Sequence, residues 1–328
     1  MRKLTGVVAI ASAVAFAGCA HAPSTLKAEG SATRTIDGLW WFMFWIASAV
    51  FVIVMAILVA SLLRRRRRTE IDRSDRRSET FVLVSGAAIP FVILTVLFLY
   101  VLHDLRTLSS AAGNTNLTVQ VIGHDWWWEV RYPQQGAVTA NEIHVPAGER
   151  VRVEVTTDDV IHSLWVPQLN AKIDLIPGQT NTTWFEADRP GTYRGQCAEF
   201  CGLQHAHMAL SVIAQTPADF TTWLDNESQP LAAPTDPVAR AGENDFLNST
   251  CVGCHTIRGT VAEGDEGPDL THVGSRRTIA AGTLTNTRAN LERWVSDPQT
   301  IKPGAKMPPT ELDPDQLQAV LTFLQSLK

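Results

Sequence analysis

The stretch CAEFCGLQHAHM, residues 197–208, decides how this chain is read. Cys197 and Cys201 lie four positions apart, and His205 and Met208 follow at once. Thiolate and thioether sulfur together with imidazole select a soft metal: copper, or zinc if geometry alone counted. A structural zinc site is normally closed by four cysteine or histidine ligands. Met208 is a donor that zinc has no use for and copper does. One more imidazole must come from an earlier strand end, and His162 in DDVIHSLWVP is best placed. His207 is out of register with the motif and reads as a non-ligand. His124 and His144 sit inside strand patterns and read as structural histidines. Asp159 and Asp174 flank the motif loops, where they either order ligands or a proton path or are simply solvated.

The sequence around the motif is that of a β domain over 114–215. LTVQVIG, WWWEVRY, NEIHVP, RVRVEVTT, TTWFEA, GTYRGQ and MALSVIA place apolar residues at every second position, the period of a half-buried strand. Pro133, Gly136, Gly148, Pro177-Gly178 and Pro190-Gly191 punctuate the gaps. Many short strands with regular turns imply a sandwich or barrel.

Beyond it, NESQPLAAPTDP at 226–237 reads as a linker. The segment 238–328 is helical in character and holds Cys251, Cys254 and His255 as Cys-x-x-Cys-His. That spacing attaches haem through two thioethers and presents the adjacent histidine to iron. A methionine as sixth ligand raises the iron potential, and Met307, in KPGAKMPP, is the only methionine after Met208. NLERWVSDP and DPDQLQAVLTFLQSL carry apolar residues three and four apart, as helices do. Asp313 is placed to cap the last helix, with Pro314 in its first turn. His272, Arg276, Arg277 and Trp294 have core or surface roles as open to them as contact with haem propionates.

Upstream, the chain reads as a membrane anchor. Arg2 and Lys3, the apolar run Val7–Phe16 and the small residues before Cys19 form a secretory signal over 1–18. Residues 19–38 follow outside the membrane. Residues 39–63 and 81–103 are uncharged but for their polar edges and exceed the ~20 residues needed to cross hydrocarbon. Between them, the loop 64–80 holds Arg64 to Arg68, Arg73, Arg76 and Arg77. Short basic loops stay cytoplasmic, so everything after the second span lies on the outer side. The 328 residues suffice for two domains plus this hairpin, and a net charge of -5 gives no reason to expect nucleic acid. Five cysteines fall into two metal-type pairs plus Cys19, leaving none for a disulfide.

The copper-type motif resembles that of the binuclear CuA centre in subunit II of haem–copper cytochrome c oxidases, on a cupredoxin-like sandwich. The Cys-x-x-Cys-His segment, GPDL at 267–270 and the Met307 loop resemble class I cytochrome c. The resemblance covers nearly the whole chain and implies a multidomain protein: a transmembrane α-helical hairpin, an all-β copper domain and an all-α cytochrome c domain. It implies that Cys197 and Cys201 bridge two coppers, that His162 and His205 each bind one, and that Met208 and the Glu199 carbonyl are weak ligands. The Glu199 carboxylate would also reach a magnesium or manganese ion shared with subunit I. Trp126 matches the tryptophan that admits electrons, although Asp125 stands where relatives often carry glutamine. Glu79 resembles a carboxylate at a proton-channel mouth, and Cys19 a lipidated cysteine. The implied partners are subunit I, subunit III, membrane lipid and an external donor, either a cytochrome c or a bc1-type complex. The implied place is the bacterial inner membrane, and the implied task is electron delivery for oxygen reduction coupled to proton pumping. A CuA-bearing nitric oxide reductase subunit and a free-standing electron carrier are the alternatives. Nitrous oxide reductase, a soluble propeller enzyme, fits the paired spans and fused haem poorly.

Overall fold

The structure is a computed structural model that describes residues 23–65, 76–109 and 115–328. The signal segment, Cys19 and most of the arginine-rich loop lie outside those residues. Helix α1 spans Ser31–Arg65. Helix α2, Arg76–Leu83, runs through one π turn at Val84–Ala88 into α3, Ile89–Ser109. The π turn sits just before Pro90, whose missing N–H cannot close an ordinary turn; the Ile89 amide bonds the Val84 carbonyl instead. Both helices have apolar stretches whose side chains are exposed in the isolated chain, as expected of surfaces that face lipid or other subunits.

The helices outrun the expected spans of 39–63 and 81–103, because an apolar run marks hydrocarbon thickness and not the helix end. The extra length is used. Ala32 and Thr33 are buried, and the Thr33 hydroxyl donates to the Gln168 carbonyl at 2.8 Å. Ser31 donates to Glu186 at 2.8 Å, and Arg34 pairs with Asp188. Near the C-terminal end of α3 the Leu108 carbonyl accepts from the Trp184 indole at 3.1 Å. The β domain is therefore held to the N-terminal end of α1 and the C-terminal end of α3.

That domain has ten strands: β1 Thr118–His124, β2 Trp127–Tyr132, β3 Ala137–Ala140, β4 Glu142–Pro146, β5 Arg150–Thr157, β6 His162–Trp165, β7 Ile173–Leu175, β8 Asn181–Glu186, β9 Gly191–Cys197 and β10 Ala209–Gln215. They form two five-stranded sheets, β3-β2-β1-β5-β8 and β4-β10-β9-β6-β7. Along β5, Val151, Val153 and Val155 point inward and are fully buried, while the intervening residues are not. Each such side chain contributes roughly 1.5–3 kcal/mol by leaving water. Trp128, Tyr132, Leu164 and Phe185 complete the core between the sheets. The short strands β3, β6 and β7 escape a periodic reading: β6 has His162, Ser163 and Leu164 all buried in a row.

A helix not foreseen from the sequence, α4, covers Pro217–Glu227. Thr216 caps it by accepting from the Asp219 amide at 3.2 Å, and Phe220 and Leu224 pack on the β core. The expected linker 226–237 is consequently shorter at both ends, since Asn226 and Glu227 end α4 and Pro237 begins the next helix.

The last domain is built on α5 (Pro237–Leu247), α6 (Arg288–Ser296), α7 (Pro298–Ile301) and α8 (Pro314–Ser326), with a small ribbon of β11 (Thr278–Ile279) and β12 (Leu284–Thr285). Asp313 caps α8 in a reciprocal box with Gln316, and Pro314 opens it. Helices α5 and α8 cross at Gly242, where a Cβ would overlap the Ala319 carbonyl. Phe246 and Phe323 meet beside that crossing, with ring centres 6.0 Å apart.

The two outer domains pack against each other along a polar seam. The buried Glu142 carboxylate accepts from the Arg277 amide at 2.7 Å, and Arg276 reaches the Thr139 hydroxyl at 3.3 Å. The Ala209 amide, at the start of β10, donates to the Ala281 carbonyl at 3.0 Å.

Candidate metal centre

The loop between β9 and β10 brings the sulfur donors together. Cys197 Sγ and Cys201 Sγ stand 3.8 Å apart. His162 Nδ1 lies 3.9 Å from Cys197 Sγ, and His205 Nδ1 lies 3.6 Å from Cys201 Sγ. Met208 Sδ is 3.8 Å from Cys201 Sγ, and the Glu199 carbonyl is 3.2 Å from Cys197 Sγ. All six expected donors thus converge on one pair of sulfurs. A thiolate–metal bond is about 2.3 Å, so sulfurs at this separation can share a metal ion on either side of the line joining them. His162, Cys197, Cys201 and Met208 are buried, which keeps water from the site. The donor set and its spacing fit a bridged copper pair.

The strands dictate this convergence. Cys197 ends β9, which pairs with β6, so Leu164 lies opposite Cys197 and His162 falls beside the sulfur. Gly123 on β1 leaves room for the imidazole; a Cβ there would stand 2.8 Å from His162 Cδ2. Asp159 accepts from His162 Nε2 at 2.8 Å, which directs Nδ1 at the sulfurs. Burial opposes ionisation of Asp159, but hydrogen bonds from His162 and from the Asp125 and Val160 amides hold it at about 2. Burial likewise opposes charge on His162, yet Asp159 and Cys197 raise it to about 9. Between the cysteines, the hydrogen bond from Cys201 pulls Cys197 down, whereas that bond and burial push Cys201 up. One thiol is therefore readily deprotonated, and the second needs a cation to replace its proton.

The other histidines are engaged elsewhere. His207 Nδ1 bonds the Gln204 side chain at 2.7 Å. His124 stacks on Trp127 with centres 4.4 Å apart, and His144 stacks on Trp223 at 3.8 Å. The Glu199 carboxylate is exposed beside Lys172, 3.5 Å away, and Asp174 flanks the same lysine at 3.8 Å. Glu79 is exposed on α2.

In the last domain Cys251 and Cys254 flank a single turn, half-buried and exposed respectively. His255 Nδ1 donates to the Pro268 carbonyl at 2.8 Å, so Nε2 is the nitrogen left to bind a metal. Burial lowers the basicity of His255, which favours the uncharged form that can ligate. Gly267 permits this approach, because a Cβ there would be 2.6 Å from His255 Cε1. Val252, Leu270, Trp294, Leu312 and Leu317 are apolar, only partly buried, and packed on the domain core, as the lining of a haem cleft would be. Met307 lies on the α7–α8 loop, its carbonyl accepting from Gln299 at 2.8 Å. These residues fit a covalent haem. Arg276 turns instead toward the seam, where it bonds Thr139 and the Asp269 carbonyl.

Residues 134–215 match the family profile described as Cytochrome C oxidase subunit II, periplasmic domain, and residues 239–328 match Cytochrome c. The cytochrome c oxidase subunit 2 of Alkalihalophilus pseudofirmus is 33% identical over 291 residues, covering 86% of this chain and 84% of that one. The chain belongs to the cytochrome c oxidase subunit 2 family. That of Bacillus sp. strain PS3 is 32% identical over 287 residues, covering 80% of each. A crystal structure of the periplasmic domain of cytochrome oxidase subunit II from Bradyrhizobium japonicum covers 35% of this chain and 94% of its own, at 34% identity and TM-score 0.34. The chain is thus an oxidoreductase-complex component with a cytochrome c domain. Membership implies the two-copper centre, haem c, association with subunit I and a membrane anchor.

One residue whose role the sequence left open, and two that it did not mark, matter here. Asp159 orients a donor, a role the sequence left level with a solvated loop. Gln204 donates to the Pro303 carbonyl at 2.7 Å, and Lys302 Nζ donates to the Trp126 carbonyl at 2.6 Å. Both bonds tie the copper loop region to the Met307 loop, and no motif spacing announces a contact between domains.

Proposed function

We propose that this chain receives electrons at its cytochrome domain and passes them through its copper domain to subunit I of a haem–copper oxidase. The observation that carries the proposal is the convergence of six donors on one sulfur pair, close to the loop that carries Met307. Bound at these sites, a covalent haem and a mixed-valence copper pair supply one-electron carriers, in the order external donor, haem c, CuA, haem of subunit I, for oxygen reduction coupled to proton pumping.

The chain's own residues do the rest. Cys197 and Cys201 would hold the copper pair between them, His162 and His205 would supply one nitrogen each, and Met208 and the Glu199 carbonyl would be the weaker donors. Donors spread over β6, β9 and the β9–β10 loop, four of them buried, would hold their places when the charge changes, so that little rearrangement would oppose transfer. Cys251 and Cys254 would hold a haem covalently, and His255 and Met307 would supply nitrogen and sulfur to its iron. Val160, Ile161 and Phe200 are exposed apolar side chains on the two ligand loops, a surface suited to packing on subunit I. The exposed Glu199 carboxylate supports a magnesium or manganese ion shared across that boundary, provided Lys172 gives way. Glu79, at the inner start of the second span, is assigned to the mouth of a proton path. Cys19 is assigned as the lipidated residue after signal removal in the inner membrane. Subunit III, and a cytochrome c or bc1-type donor, complete the partners.

The test is the purified complex. Oxygen uptake driven by a reduced donor, with no turnover of nitric oxide, supports the reading. Nitric oxide turnover without oxygen uptake would favour a CuA-bearing nitric oxide reductase. Purification of the chain without any haem–copper subunit would favour a free-standing carrier.

A further inference from the structure

We infer that Lys302 is a positioning residue that fixes the Met307 loop onto Trp126, making Trp126 an internal relay between the two redox domains. The inference rests on the electron order proposed above. Lys302 is 3% exposed, and among the described residues it has no carboxylate within ion-pair distance. Its ammonium meets only two carbonyls, Trp126 O at 2.6 Å and Ala280 O at 3.5 Å. An unpaired buried lysine is unfavourable to keep, and burial lowers its pKa to about 7. A neutral side chain of similar length would fill the space without that penalty. What the lysine provides is a donor aimed at one backbone atom.

That atom belongs to the residue that touches the copper loop. The Trp126 indole N–H donates to the Cys201 carbonyl at 2.8 Å, so a continuous hydrogen-bonded path runs from Lys302 through Trp126 to a bridging cysteine. The neighbouring residues repeat the contact. The Pro303 carbonyl accepts from Gln204 at 2.7 Å. Gly304 has φ +85°, and a Cβ there would stand 3.0 Å from Leu203 and 4.0 Å from the Trp126 ring. At its other end the same loop is tied by Gln299, which donates to the carbonyls of Ala305 and Met307. One short loop thus holds the candidate iron ligand and grips the copper domain. With its ring half-buried beneath this loop, Trp126 is turned toward the chain's own haem domain and away from a soluble donor.

The experiment uses the assembled oxidase. Electrons are placed on haem c by a light pulse, and haem oxidation and copper reduction are followed by absorbance. Lys302→Met should slow transfer by about tenfold or more, because displacement of a relay by an ångström is costly, while the haem and copper spectra stay unchanged. Lys302→Gln, which keeps a donor, should recover most of the rate. Hydrogen exchange should rise in K302M at residues 302–304 and 202–204 but not in α8 or β10. Wild-type speed in K302M, or equal slowing in K302Q and K302M, overturns the inference. Should K302M fail to assemble, Gln204→Leu removes the adjacent bond and must slow transfer in the same way; wild-type speed there overturns it too. If the unsubstituted protein shows no transfer between the two centres, the electron order itself is wrong, a result distinct from a failure of Lys302.

Discussion

Replacing Asp159 by alanine should weaken copper binding without unfolding the β domain. The carboxylate accepts from His162 Nε2 at 2.8 Å, from the Asp125 amide at 2.7 Å, from the Val160 amide at 2.7 Å and from the Thr157 hydroxyl at 3.1 Å. Its side chain is 20% exposed, so solvent screens it little. The carboxyl stands at about 2 against its usual 3.8, which corresponds to about 2 kcal/mol of preference for the charged, bonded state. The same pair read from His162, at about 9 against 6.5, gives about 3 kcal/mol. The smaller figure is the better guide, because Cys197 also contributes to the imidazole. In metal-free protein this stabilisation is present above the unfolded carboxyl value and is lost as pH falls toward 2. Part of that figure comes from the Asp125 and Val160 amides, so the expected loss of copper affinity lies in the roughly 10–100-fold range for removing a partner of a metal-bound histidine. The assay is copper transfer to a chelator of known affinity, followed by the near-infrared absorbance of the copper pair. Asp159→Asn, which keeps an acceptor for Nε2–H, should lose less. Wild-type affinity in D159A would refute the claim that Asp159 orients His162.

Other consequences follow from the same geometry. Gly267→Ala should disorder the His255 ring, since the new methyl would stand 2.6 Å from Cε1; visible spectra should show loss of the low-spin haem with the copper signal intact. Met307→Ala should alter the haem spectrum alone, and Cys197→Ser should abolish the copper signal alone; loss of both centres from either change would contradict the two-domain assignment. Gly242→Val should destabilise the last domain by about 3 kcal/mol or more, as overpacking of a close helix crossing does, measured as its denaturant midpoint. For Lys302, burial lowers the pKa to about 7 against its usual 10.5. The unfolded chain therefore binds more protons between those values, and stability rises with pH across that window and is lowest below about 7. Denaturation of the Lys302→Met chain should lack this rising limb.

Sequence reached the chemistry more readily than the architecture around it. Cys197, Cys201, His205 and Met208 are legible as donors because they share one loop at close spacing, His162 is the best candidate for a further imidazole from an earlier strand end, and the Glu199 carbonyl comes from the resemblance alone. Cys251, Cys254 and His255 are legible for the same reason. What could not be read were contacts made by residues distant in sequence and unmarked by period. Strand β6 buries three residues in succession and so shows no alternation. Helix α4 begins at Thr216 and Pro217, a capping pattern hidden beside the last strand. The seam is built from Glu142, Arg276, Lys302 and Gln204, polar residues that a sequence would assign to solvent. The contacts of Ser31 and Leu108 could not be read because their partners, Glu186 and Trp184, lie far along the chain.

Metal analysis of the purified full chain, separated from the haem–copper subunit, tests the account most directly. Two copper atoms and one haem iron for each chain, with no zinc, are the expected result. A single copper per chain, or zinc in place of copper, would mean that the facing sulfurs of Cys197 and Cys201 do not hold a shared pair, and the electron route built on them would fall.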